Sequence, residues 1–172
     1  MPKGLKETSG LIVISTAISE SAANTFTQEQ VDLQLNVLDR EVFVCIACDV
    51  NVDPPELDAG GADTEALASL STTSRTTMGS IGDSNVLALS RRSIEASGGL
   101  PGAVAFDTQA SETPASRLDY IGIIATNNFF VQVQGQNNTN AKNAQFRVWG
   151  YRAQASADTY AALVQSELLS AE

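Results

Sequence analysis

Tyr120-Ile121-Gly122-Ile123-Ile124-Ala125-Thr126-Asn127-Asn128-Phe129-Phe130-Val131-Gln132-Val133-Gln134 holds two strands and one break. Residues 120–125 are continuously apolar, as in a strand buried on both faces. From Phe129 on, Phe129, Val131 and Val133 alternate with Phe130, Gln132 and Gln134 at the period of two that marks a half-buried strand. Asparagine tolerates positive φ, so Asn127-Asn128 predicts a tight hairpin between the two strands.

The same period recurs on either side. Val31-Asp32-Leu33-Gln34-Leu35-Asn36-Val37 alternates without a break. Residues 42–48 are apolar throughout, and Val50 and Val52 then alternate with Asp49 and Asn51 until Asp53-Pro54-Pro55 ends the strand. Residues 10–18, 66–74 and 103–106 read as further strands. In the strand after the loop 135–140, Phe146, Val148 and Gly150 share one face, and Arg147, Trp149 and Tyr151 share the other. Two helices are expected. One spans 84–96, capped by Asp83 or Ser84 and stopped by Gly98-Gly99. The other is C-terminal, capped by Ser156, with Tyr160, Leu163, Val164 and Leu168 as its apolar stripe. Seven or eight short strands with two outlying helices make an all-β sandwich, and eight strands in two sheets would be a single jelly roll. The expected organisation is an N-terminal arm with a first strand over 1–24 and one sandwich domain over 25–172.

Composition narrows the chemistry. The 172 residues carry 20 acids and 10 bases, a formal charge of −10, and no histidine. Ser-His and Cys-His catalysis and histidine metal sites are thereby excluded. So acidic a chain repels phosphate, and Arg91-Arg92 is too small a basic feature for a nucleic-acid track, so direct nucleic-acid contact is not expected. No apolar run approaches the length of a membrane-spanning helix. Lys3 and Lys6 before Leu11-Ile12-Val13-Ile14 have the order of a secretory leader, but Ser15 and Thr16 break the apolar run, and a strand is expected there. Cys45 and Cys48 have the C-x-x-C spacing. On a regular strand residues three apart face opposite ways, so the thiols are expected to be buried, apart and structural.

Few constellations can carry chemistry. Asp49, Asp53, Glu56, Asp58, Asp63 and Glu65 lie within 17 residues without a base. Of these, Asp53, Glu56, Asp58, Asp63 and Glu65 are the candidate Ca²⁺ ligands, although no EF-hand spacing is present and a solvated acidic loop explains them equally. Asp107, Glu112 and Asp119 are the carboxylates open to glycosidase chemistry, with nothing in the sequence to bring them together. Neither Ser84 nor Ser90 has an activating base in the sequence around it. Asn137-Asn138-Thr139 is a formal glycosylation triplet. Arg147, Trp149, Tyr151 and Arg152 are the residue types enriched at contact hot spots, and they are the candidate subunit-interface residues.

The runs Leu38-Asp-Arg-Glu-Val-Phe-Val44, Ser69-Leu-Ser-Thr-Thr-Ser-Arg75, Leu118-Asp-Tyr-Ile-Gly-Ile-Ile124 and Asn128-Phe-Phe-Val-Gln-Val-Gln-Gly135, with Tyr151-Arg-Ala153 and Tyr160-Ala-Ala-Leu-Val-Gln-Ser-Glu167, resemble small structural capsid proteins of marine viruses. The resemblance covers about residues 25–169 and implies a self-assembling, non-catalytic shell subunit of a virion. Its partners would be copies of itself and other virion proteins, with no cofactor, and with a membrane-lined shell, an internal scaffold or an outer decoration all open to it. The competing readings are an extracellular filament or surface-layer subunit and a calcium- or carbohydrate-binding sandwich module.

Overall fold

The computed structural model describes residues 4–58, 61–96, 102–109 and 118–170. Gly98-Gly99, Glu112 and Lys3, named above, lie outside the described residues, as does the loop over 110–117. Among the described residues there are ten strands: β1 (Leu5–Glu7), β2 (Ile12–Ser19), β3 (Thr27–Asp32), β4 (Glu41–Val52), β5 (Thr64–Ser71), β6 (Val86–Glu95), β7 (Val104–Gln109), β8 (Gly122–Ile124), β9 (Asn128–Gln136) and β10 (Asn143–Ala155). One helix, α1 (Ala157–Leu169), follows.

The strands form two antiparallel sheets of five. In the first, β10 runs between β4 and an edge shared end to end by β1 and β2, and β8 lies beyond β4. In the second the order is β3-β9-β5-β6-β7. Without β1 and β7, the orders are 2-10-4-8 and 3-9-5-6. The pairs 2·10, 3·9, 4·8 and 5·6 are nested antiparallel hairpins. That is the topology of a jelly roll.

The inner faces supply the core. Ile18, Phe43, Val50, Val52, Phe146 and Val148 of the first sheet meet Ala66, Ala68, Leu70, Ala88, Phe129, Val131 and Val133 of the second. A smaller cluster lies on the outer face of the first sheet, where α1 covers Val42, Val44, Ala153 and Ala155 with Tyr160, Leu163 and Val164. Ser156 caps α1 as expected, accepting a hydrogen bond from the Thr159 N–H. Leu168, however, is 68% exposed, and the buried residue at that end of the stripe is Glu167.

Four expectations are corrected. Residues 86–95 form strand β6, not a helix: Val86, Ala88 and Ser90 are buried in alternation, as a strand between two neighbours requires. Asn127-Asn128 does not close a hairpin. β8 pairs with β4 and β9 pairs with β3 and β5, so the chain crosses there from one sheet to the other. The cysteines do meet, with sulfurs 3.3 Å apart. The cause is a bulge opposite Trp149/Gly150, where Trp149 pairs with Ala47 but Gly150 pairs with Cys45. Ile46 is the extra residue, and one extra residue reverses the alternation, so Cys45 and Cys48 both face the core. The alternating segment 31–37 is also shorter as a strand than it reads. Leu33 and Leu35 are buried beyond the end of β3, while Val37 is exposed in a short 3-10 turn.

Candidate functional site

β10 sets the geometry of the candidate contact surface. Its inner residues, Ala144, Phe146 and Val148, are buried, and Gln145, Arg147 and Trp149 alternate outward. On β2 the outward set is Val13, Ser15, Ala17 and Ser19, and Asp49 and Asn51 of β4 project from the same face. These strands enclose a shallow trough of about 450 Å³ lined by Ser15, Ala17, Asp49, Gln145 and Arg147. The exposed Arg147 guanidinium lies over the Trp149 ring, 5.9 Å from its centroid, a cation–π geometry. Trp149 is half-buried and lies outside the cluster beneath α1.

The four interface candidates therefore have three environments. Arg147, exposed, and Trp149, half-buried, form one pair on the outer face. Tyr151 packs in the cluster under α1, where burial, with Glu7 and Asp119 nearby, pushes its phenol pKa up. Arg152 follows the bulge and pairs with Phe43, on the core side. It donates to the Leu33 carbonyl at 3.0 Å and approaches Glu41 at 3.9 Å.

The acids of the 49–65 stretch are distributed among separate partners. Asp53 accepts from the Asn143 side chain at 2.7 Å, and Asp63 from the Ala96 N–H at 2.7 Å. Asp58 accepts from the Ala62 N–H within its own loop. Glu65 pairs with Arg91. Glu56 accepts from Lys142 Nζ at 2.9 Å, and that bond, with help from Asn140, holds its pKa down to about 2. Among the described residues no three Cys, Asp or Glu side chains converge on a common point. The Arg91-Arg92 doublet is likewise split. Arg92 turns inward and donates to the Val52 carbonyl at 2.8 Å, joining the two sheets, and it pairs with Asp107 at 3.4 Å. Asn137 donates its side-chain N–H to the Asp63 carbonyl.

Two polar centres escaped the sequence reading. The loop 72–85 folds over the outer face of the second sheet and seals a network there. Gln132, fully buried, accepts from Ser69 and donates to Ser71 and Gln28, while Arg75 bonds Asn85 and pairs with Asp83. Alternation placed Gln132 outward correctly, but nothing local shows that a loop 50 residues earlier in the chain covers it. The second is Glu167, 7% exposed, whose carboxylate accepts the Ala125 and Thr126 N–H groups at 2.8 and 2.9 Å. Burial pushes its pKa up against those two bonds.

No family model and no curated protein matches the chain. Among solved structures it is similar to one from desmodium yellow mottle tymovirus, at 14% identity and a TM-score of 0.36, with 91% of this chain and 95% of that chain covered.

Proposed function

We propose that the chain is a non-catalytic structural subunit that assembles with copies of itself into a virus shell and resides in the virion. The jelly roll is shared by capsid proteins, lectins and cupins, and it selects none of them alone. What carries the reading is the outer face of the first sheet. A half-buried tryptophan with an arginine stacked on it stands over strands whose other outward residues are small and mostly uncharged, and that is the composition of an interface core. Asp53, Glu56 and Asp63 are spent on hydrogen bonds that tie separate segments to one another.

The net charge of −10 and the division of Arg91 from Arg92 support a subunit that does not hold nucleic acid directly. Negative-stain microscopy with light scattering on the purified protein tests the proposal. Closed particles of uniform diameter are expected. Open fibres would favour a filament subunit, because heterologous contacts that fail to close grow without limit. A monomer at every concentration, with a melting temperature raised by Ca²⁺ or by a glycan, would replace the proposal with a binding module.

A further inference from the structure

A sheet edge presents unpaired backbone N–H and C=O groups, and proteins usually blunt it with charge, proline or brevity. Of the four edges formed by the described residues, three are blunted in that way. β8 is three residues long. β3 carries Glu29 and Asp32. β7 carries Asp107, paired with Arg92. The fourth edge, β2, has none of these devices. It is eight residues long, Ile-Val-Ile-Ser-Thr-Ala-Ile-Ser, and among the described residues it pairs with β10 alone. From Thr8 to Ser19 there is no charged residue and no proline, in a chain whose formal charge is −10. Ile12 and Ile14 on this strand are only partly buried against the core, and Leu11 and Val13 are 65% and 50% exposed.

We infer that two copies of the chain pair through β2, antiparallel and edge to edge about a two-fold axis, so that the first sheets of both copies become one. The occupant is a second copy because the surface is self-complementary. In an antiparallel pair the residues directly opposite share a face. A two-fold axis through Ser15 sets Ile12 against Ile18, Ile14 against Thr16 and Val13 against Ala17. The core-side residues then continue one core, and no like charges meet. With a formal charge of −10 two copies repel each other overall, and this charge-free edge is a place where they can approach. The contact is isologous, and a strand of this length buries less than a standard stable interface, so it is weak alone and gains strength by repetition in an assembly. The inference rests on the self-assembly reading and names one contact within it.

The test is a concentration series of the full chain by sedimentation, with Ser15→Lys and Ser15→Thr beside the wild type. Ser15 is exposed, so both variants should melt like the wild type. Ser15→Lys sets two ammonium groups against each other at the axis and should raise the concentration needed for association at least tenfold, while Ser15→Thr leaves it unchanged. Amide exchange on the wild type gives a readout independent of any variant: the alternate amides of 12–19 that point away from β10 should be protected in the associated state and exchange faster in the dilute monomer. Equal association by wild type and Ser15→Lys, with 12–19 exchanging alike in both states, would overturn the β2 contact and leave self-assembly standing. A wild type that stays monomeric at every concentration would remove both.

Discussion

Glu167 stands where the last turns of α1 meet the crossover between the sheets, and its carboxylate accepts the Ala125 and Thr126 N–H groups. Glu167→Ala should cost about 1–3 kcal/mol, the penalty for leaving a buried donor unpaired, read as a lower midpoint in urea. Glu167→Gln keeps one acceptor oxygen and should lose less. The pH dependence has a definite sign. Burial raises the folded-state pKa above the unfolded one, so the proton-linked contribution is complete below the ordinary glutamate range and is lost as pH rises through the raised value. Between about pH 4 and neutrality, wild-type stability should therefore fall more than that of Glu167→Gln. Glu56 acts oppositely. With its pKa held down to about 2, its contribution is present above the ordinary range and is lost only as pH falls toward that value. An identical pH profile for wild type and Glu167→Gln would show that this carboxyl does not govern the slope.

At the scale of elements, the bulge between β4 and β10 decides most. It turns both thiols inward, and their mutual hydrogen bond together with burial raises the Cys48 pKa far out of the reactive range. Both thiols should ignore an exposed-thiol reagent at neutral pH until the protein unfolds, and labelling in the folded state would refute this placement. Gly150 allows the close approach on the opposite strand: a Cβ there would lie 2.4 Å from the Val44 carbonyl oxygen and 2.5 Å from the Phe43 ring. Gly150→Ala is expected to cost about 1–3 kcal/mol, as overpacking does, and an unchanged melting temperature would mean that the strands part without penalty. Both effects were closed to sequence reading. The C-x-x-C spacing and Gly150 are visible, but an extra residue in a ladder exists only relative to the partner strand, more than 100 residues away. For the same reason 84–96 read as a helix. Its apolar residues fit either period, and β5 and β7 on its flanks settle the matter.

For the whole molecule, Arg147 and Trp149 offer a test of assembly separate from folding. Trp149 lies outside both core clusters, so Trp149→Ala should lower the melting temperature modestly yet raise the concentration at which particles form tenfold or more, a change of about 1.4 kcal/mol per contact. Wild-type particle yield from that variant would remove Trp149 from the contact surface. A fluorescence titration with short single-stranded nucleic acid at physiological salt should give no saturable binding, and tight binding would contradict the reading from charge.

The amino-acid sequence by itself determined the class of the fold, because a period of two, proline stops and a serine cap are local properties of backbone and side chain. It likewise set the outward direction of Arg147 and Trp149, the position of the C-terminal helix, the net charge and the lack of histidine chemistry. Only the tertiary structure decided which strands pair, where the chain crosses between sheets, that the cysteines touch, that Arg152 and Arg92 turn inward, and that Glu167 rather than Leu168 is buried. These are all contacts between residues far apart in the chain. Their free energy comes from desolvated surfaces and paired hydrogen bonds that exist only once both sheets are in place, so no short stretch of residues encodes them.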